Sequence, residues 1–382
     1  MKKLLGLLVL SVSLASCSGL RSYLPQGEAK KTRAFNPAWI KVMDPSYESG
    51  NLPIALQSPL IFEGIVYAGN NAGSMQAFEL ENGRLVWSEQ DNSTYHAAPV
   101  PFKDQIIYGT VQGRVISRHY TTGKIKYSVD LGASVETKGV VHQGRILFQL
   151  RNHQVFCLDV ETGKILWGYK RSVSYLTTLQ RASTPVVYKD RVLVGLADGT
   201  LVALSLDEGV LLYEAKLSTA VKFVDVDNAP FILNDKVYIG PVGGPISMLD
   251  PNTGKVIRRG EFTASRAPFI DATYKDEQML FGTPNGELVL SDKNLNILNK
   301  VKLTRGVISS MVPYKQGIAV ATTSGELFHV DPKTLQVMDK YELGHAYSAV
   351  FGDMDSAVSG TEGRKESYLS VLSSRNRLFT FR

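Results

Sequence analysis

The chain has 382 residues, 44% of them hydrophobic, and a formal net charge of +6. A chain of this size and apolarity buries an extensive core, which excludes intrinsic disorder, and its mild charge, with no Lys/Arg block or aromatic-interleaved basic run, argues against a nucleic-acid partner. It has only two cysteines, Cys17 and Cys157, so no disulfide framework is available and stability must come from burial.

Lys2 and Lys3 precede an apolar stretch from Leu4 to Leu14, and Leu14-Ala15-Ser16-Cys17 follows. Charge, apolar run and small residues before a cysteine together read as a secretory signal ending in a lipobox. A membrane-spanning helix needs about 20 apolar residues, and here Ser11, Ser13 and Ser16 interrupt a much shorter run. Residues 1–16 are therefore expected to be a signal peptide, with Cys17 as the lipidated mature N-terminus. Loss of Lys2 and Lys3 would lower the formal charge from +6 to +4. Acyl chains such as palmitate contribute about 0.8 kcal/mol per buried CH₂, so several of them anchor a protein without a spanning helix. Ser18 follows the cysteine, where Asp would be an inner-membrane retention signal in enterobacteria. The expected location is thus the outer membrane of a Gram-negative cell, facing the periplasm. Residues 17–37 are polar and basic and contain Pro and Gly, which suits a flexible tether whose cations can rest on anionic head groups.

From residue 58 onward one unit recurs. SPLIFEGIVYAGNNAGSMQAFELENGRLVW at 58–87 parallels STPVVYKDRVLVGLADGTLVALSLDEGVLLY at 183–213. Copies begin at Pro59, Pro99, Gly139, Pro185, Pro230, Pro268, Met311 and Ala349. Apolar residues alternate with period two, as in Val192-Val194-Leu196 and Val202-Leu204-Leu206, between Asp-Gly, Asn-Gly or Thr-Gly turns. No stretch sustains helical spacing. Eight units of four antiparallel strands make an all-β, eight-bladed β-propeller over residues 38–382, since ring closure protects the strand edges.

An aromatic often stands four residues after the turn glycine: Gly83 to Trp87, Gly123 to Tyr127, Gly163 to Trp167 and Gly209 to Tyr213. Recurrence at one register points to packing against the next blade and away from a ligand platform. The sixth and seventh copies replace the glycine turn with Lys293-Asn294-Leu295 and Lys333-Thr334-Leu335, so looser conformity to the repeat is expected there. The eighth copy ends after Arg377-Leu378-Phe379-Thr380-Phe381 and lacks an outer strand. Pro37-Ala38-Trp39-Ile40-Lys41-Val42 resembles Lys164-Ile165-Leu166-Trp167-Gly168-Tyr169 and is expected to close the ring, with Trp39 in the place of Trp167.

The segment Glu161-Thr162-Gly163-Lys164-Ile165-Leu166-Trp167 resembles the repeat of quinoprotein dehydrogenases. That resemblance raises an enzyme with a calcium-bound quinone on the ring axis, usually beside a vicinal Cys-Cys disulfide and a catalytic Asp. The chain has no Cys-Cys pair, and the carboxylates of Asp353-Met354-Asp355 are too few for a cation that takes six to eight oxygens. The six histidines lack metal-ligand spacing and read as surface or strand residues. Cys157 lies in an apolar strand and reads as an inert buried thiol. No nucleophile elbow or phosphate-binding loop occurs. No catalytic residue, metal site or cofactor is therefore expected.

The two longest repeat spacings are neighbours, and their additional residues fall at about 172–183 and 217–228. Both segments join an outer strand to the next inner strand, so both emerge on one face. Tyr175-Leu176-Thr177-Thr178-Leu179-Gln180-Arg181 and Lys222-Phe223-Val224-Asp225-Val226-Asp227 mix apolar, Arg and carboxylate side chains, a composition suited to a binding hot spot. An internal pairing of Arg181 with Asp225 or Asp227 is compatible with that role.

Lipobox, eight quinoprotein-like blades and these two segments resemble the BamB lipoprotein family of the β-barrel assembly (BAM) machinery along the whole chain. The family's Leu-x-Leu-Arg before Ser-x-Pro is approximated by Leu179-Gln180-Arg181-Ala182-Ser183-Thr184-Pro185. Its Asp-Val-Asp is matched by Asp225-Val226-Asp227. Gln180 stands where the family's Arg falls and Thr177 replaces its first Leu, so the acidic half matches better. The resemblance implies a non-catalytic scaffold that aids folding and insertion of outer-membrane proteins and binds a POTRA domain of the barrel-forming subunit through Leu179, Gln180, Arg181, Asp225 and Asp227. Unfolded outer-membrane proteins are a further candidate ligand. The alternatives are a PQQ-dependent quinoprotein dehydrogenase and a propeller serving another envelope complex.

Overall fold

The computed structural model describes residues 34–44, 57–172, 182–218, 224–271, 277–343, 352–359, 365–373 and 377–382. The chain enters the ring with β1 (Pro37–Val42). Blade 1 then runs β2 (Leu60–Phe62), β3 (Ile65–Gly69), β4 (Ser74–Glu79) and β5 (Leu85–Gln90), from the axis outward. Blade 2 holds β6 (Val100–Phe102), β7 (Gln105–Gly109), β8 (Arg114–His119) and β9 (Ile125–Asp130). Blade 3 holds β10 (Val140–His142), β11 (Arg145–Gln149), β12 (Val155–Asp159) and β13 (Ile165–Tyr169). Blade 4 holds β14 (Val186–Tyr188), β15 (Arg191–Gly195), β16 (Thr200–Ser205) and β17 (Leu211–Lys216). Blade 5 holds β18 (Phe231–Leu233), β19 (Lys236–Ile239), β20 (Ser247–Leu249) and β21 (Val256–Arg259). Blade 6 holds β22 (Met279–Gly282), β23 (Glu287–Ser291) and β24 (Ile297–Lys302). Blade 7 holds β25 (Ile308–Tyr314), β26 (Gly317–Thr322), β27 (Glu326–Val330) and β28 (Val337–Glu342). Blade 8 holds β29 (Gly352–Ser359), β30 (Glu366–Ser373) and β31 (Arg377–Phe381), and β1 completes it.

The eight-bladed, all-β architecture read from the repeat is the one observed. The first five repeat starts fall one residue ahead of an innermost strand. In blade 6 that strand shrinks to one residue, Phe269, which exchanges both backbone hydrogen bonds with Leu280. Met311 falls inside β25, which begins three residues earlier. The second and third strands of each blade carry the core, as in β3, whose five residues are all buried. Each outer strand has a bulge just before the aromatic position, so that two consecutive side chains face solvent, as Leu85 and Val86 do. Bulges twist an edge strand away from stray pairing.

The aromatic series packs as the repeat implies, one blade onto the next. A Cβ built on Gly83 would lie 2.7 Å from the Trp39 ring, on Gly123 2.9 Å from Trp87, on Gly163 2.5 Å from Tyr127 and on Gly254 2.6 Å from Tyr213. Trp167 covers Gly209 in the same way. Each ring also donates a hydrogen bond to a carbonyl of the turn it covers. Trp39, Trp87 and Trp167 reach Leu80, Tyr120 and Leu206 at 2.8, 2.8 and 2.9 Å. Tyr127 and Tyr213 reach Val160 and Pro251 at 3.2 and 2.8 Å. Five consecutive junctions, from blade 8 to blade 5, use this device. Beyond them it lapses: Arg258 stands at the aromatic position of blade 5 and donates to Asn296 at 2.5 Å. Leu295 and Leu335, both buried, hold the positive φ (64° and 59°) that glycine adopts elsewhere.

The ring closes at the expected seam. Trp39 pairs with Thr380 and Val42 with Arg377 in an antiparallel ladder. Phe35, just ahead of β1, is buried in an aromatic box, stacked on Tyr314 at 5.8 Å with His329, Tyr341 and Phe381 edge-on at 6.1, 6.4 and 5.6 Å. After β1, the Asp44 carboxylate accepts from the backbone N–H groups of Asn71 and Ala72 at 3.1 and 3.2 Å, fixing the chain onto blade 1.

Candidate partner-binding face

In each blade the turn between the second and third strands and the connection from the outer strand to the next blade lie at the same end of the strands. The β11–β12 turn, the β15–β16 turn, the connection after β13 and the connection after β17 therefore share one face. Leu179, Gln180 and Arg181 lie outside the described residues, as does Cys17. The acidic half of the candidate site is described.

Val226 anchors that half. Its N–H donates to the Leu196 carbonyl at 3.1 Å, and its Cγ1 would sit 2.6 Å from a Cβ on Gly195. Val224 closes over Gly199 in the same way. Tyr95 over Gly69 and Val135 over Gly109 are the equivalent contacts in earlier blades, so Val226 is a wedge between blades. Its two neighbours differ. Asp225 has no exposed surface, and its carbonyl accepts from the Val242 N–H at 2.8 Å. Asp227 is partly exposed. Of the two carboxylates, Asp225 is buried and Asp227 alone has exposed surface.

Further residues join the site that the sequence did not single out. Arg171, at the start of the first connection, pairs with Asp198 of the β15–β16 turn and with Glu214 of β17, each at 2.9 Å. Ser183, at the end of that connection, donates through Oγ to the Asn228 carbonyl at 2.8 Å. The two connections are thus tied directly to one another. Gln149, at the end of β11, is fully buried, accepts from the Ser183 N–H at 2.6 Å and donates to the Gly195 carbonyl at 3.0 Å. His153 is a second departure from expectation: it is no surface or strand residue but a fully buried turn residue with φ 63°. Burial pushes its pKa below the usual histidine value, opposed by the Asp225 and Asp198 carboxylates. A sequence signal did exist for both. Gln149 and His153 occupy the repeat positions held by Gly109 and Gly113 in blade 2 and by Gly195 and Gly199 in blade 4.

Among the described residues, the Asp355 carboxylate is engaged within the fold and does not serve as a donor for a calcium-bound quinone. Asp353-Met354-Asp355 lies within β29, where the Asp355 carboxylate accepts from the backbone N–H groups of Ile61 at 2.7 Å and Ser356 at 3.0 Å. That is a bridge between blades 8 and 1 and not a cation cradle. Cys157 is buried in β12, and burial pushes its thiol up to about 11, which keeps it protonated and inert.

Comparison with known proteins bears on the fold and the family. The chain is 21% identical over 297 residues to an outer membrane protein assembly factor BamB from Bordetella pertussis, covering 75% of each chain. It is 20% identical over 370 residues to the protein of that name from Alteromonas naphthalenivorans, covering 88% of this chain and 87% of that one. The crystal structure of BamB from Moraxella catarrhalis superposes with a TM-score of 0.72 at 15% identity, covering 91% of this chain and 99% of that one. A quinohemoprotein alcohol dehydrogenase from Pseudomonas putida HK5 superposes with a TM-score of 0.69 at 12% identity, covering 94% and 78%, and shares the fold alone. The family model described as outer membrane protein assembly factor BamB matches residues 71–273, over half of the chain and including both connections, and the chain belongs to that family.

Proposed function

We propose that this protein is a non-catalytic scaffold subunit of the outer-membrane β-barrel assembly machinery, aiding folding and insertion of outer-membrane proteins by binding a POTRA domain of the barrel-forming subunit. Residues 1–16 are its signal peptide, residues 17–37 a lipidated Cys17 with its tether, and residues 38–382 the propeller, held at the outer membrane and facing the periplasm. Membership in a family described as an assembly factor supports the role. The observation that carries the site is the tie between the two long connections, Ser183 Oγ to the Asn228 carbonyl at 2.8 Å. A surface whose bases are already joined loses less conformational entropy when a partner docks. Asp227 then meets cationic partner groups, while Asp225 lies buried two residues before it, and Leu179, Gln180 and Arg181 supply the other half.

Pull-down from native membranes is the test. The wild-type protein should recover a POTRA-containing barrel protein, and Asp225→Ala combined with Asp227→Ala should lose it. Asp227→Ala alone, which leaves the buried Asp225 carboxylate in place, should weaken recovery with a smaller fall in Tm than the double variant shows. Unchanged recovery by the double variant would overturn the site, and failure of the wild type would overturn the partner. Quinone absorbance after incubation with PQQ and calcium would replace this reading with the dehydrogenase.

A further inference from the structure

Blade 3 breaks the repeat at one place, where the glycines of the neighbouring blades give way to Gln149 and His153. At blades 1, 2 and 4 the last residue of the second strand is Gly69, Gly109 or Gly195, and a residue of the following connection closes directly over it, while at blade 6 Ile308, the first residue of β25, closes over Gly282. At blade 3 the position carries a buried amide that hydrogen bonds in two directions. A non-glycine residue in the left-handed region, His153 here, costs of order 1 kcal/mol and persists where the surroundings require it.

The partners of Gln149 define its consequence. Oε1 takes the N–H of Ser183, two residues beyond Arg181, and Nε2 reaches the carbonyl of Gly195, the residue on which Val226 is seated. Its backbone is held in turn by Thr137, whose Oγ1 donates to the Gln149 carbonyl at 2.9 Å and accepts from its N–H at 3.2 Å. From Ser183 the chain of bonds continues to Asn228, whose Nδ2 donates to the Ala264 carbonyl at 2.9 Å. One side chain of blade 3 therefore touches the end of the first candidate connection and the seat of the second.

We propose that Gln149 is a positioning residue of the partner-binding face, holding the end of the first connection, at Ser183, and the seat of the second, at Gly195, at a fixed spacing without itself meeting the partner. This rests on the proposed function, and it adds a residue at the end of β11, outside either connection.

The experiment compares Gln149→Leu with Gln105→Leu in the full-length protein. Gln105 is an equally buried glutamine that also bridges blades, accepting from Ser117 Oγ at 2.6 Å and donating to the Val160 carbonyl at 3.0 Å, but it opens β7 at the opposite end of the strands. Both variants lose a buried pair of hydrogen bonds of similar kind, so both should lower Tm comparably. Only Gln149→Leu should weaken binding to the purified POTRA region, by roughly tenfold, and only it should speed amide exchange at residues 182–184 and 224–228 together. In a double-mutant cycle, Gln149→Leu with Ser183→Ala should be non-additive for binding. Equal affinity of Gln149→Leu and wild type, or equal loss in Gln105→Leu, overturns the positioning role. If the wild type itself does not bind the POTRA region, the proposed partner fails, and the exchange comparison still decides whether Gln149 couples the two connections.

Discussion

Gly209 shows how little room a blade junction leaves. Its φ is 69°, and a Cβ there would lie 2.7 Å from Cδ2 of Trp167. Gly209→Ala combines a left-handed alanine, costing about 1–2 kcal/mol, with overpacking that typically costs about 1–3 kcal/mol. Calorimetry should show a loss of about 2–5 kcal/mol, with the indole hydrogen bond to Leu206 disturbed. The glycine and the aromatic were both legible in the sequence because they repeat. The ion pair at the blade 1–2 junction was not, because its members do not repeat. Arg118 donates to Asp91 at 2.6 Å and to the Gly123 carbonyl at 2.7 Å, while the hydroxyls of Tyr95 and Tyr108 each lie 2.8 Å from Asp91 Oδ2. Both charged side chains are nearly inaccessible. Arg118→Met strands the carboxylate and should cost about 3–5 kcal/mol, and adding Asp91→Leu should reduce that loss, since a buried pair is worth less than its broken half costs.

At the scale of the element, the seam reads as one clasp made of β1, Phe35 and blade 7. His329 of β27 lies in it, with Nε2 3.1 Å from the Tyr314 carbonyl. Since a carbonyl only accepts, that nitrogen carries the proton. Burial holds the pKa of His329 below the ordinary value, with Lys315 acting in the same direction and the Tyr314 carbonyl and Asp339 opposing. The unfolded chain then binds more protons than the folded one as pH drops below about 6.5. Stability should be fully present above that pH and decline as pH falls through the folded value. Denaturant midpoints measured between pH 7.5 and 5 should show the decline, and His329→Gln should flatten it, with His153 contributing the remainder through its own depressed pKa. The seam was legible because Trp39 repeats Trp167 in register. The aromatic box was not, since Phe35 joins it through contacts with strands some 300 residues away.

At the scale of the whole molecule, repetition explains both what the sequence revealed and what it hid. Eight similar copies gave blade number, strand order and the closing strand, because each copy cannot bury its faces without its neighbours. The long spacings located the candidate face. The division of labour within Asp225-Val226-Asp227 stayed hidden, because it depends on Val226 filling the space over Gly195 and on Val242 reaching the Asp225 carbonyl. Sequence shows two carboxylates, and burial leaves one at the surface. Gln149 and His153 were visible only as departures from a glycine pattern, whose meaning required the bonds across three blades.

The ladder between β1 and β31 joins Pro37 to Phe381, nearly a full chain length apart, so it is among the last contacts that a folding chain can afford to make. Interactions formed after the rate-limiting step affect escape from the native state and not arrival at it. Trp39→Phe removes the hydrogen bond to Leu80 while keeping a ring over Gly83, and in stopped-flow measurements it should accelerate unfolding and leave the refolding rate unchanged. The seam therefore governs how long the ring persists once formed, while the pace of its assembly is set within the blades.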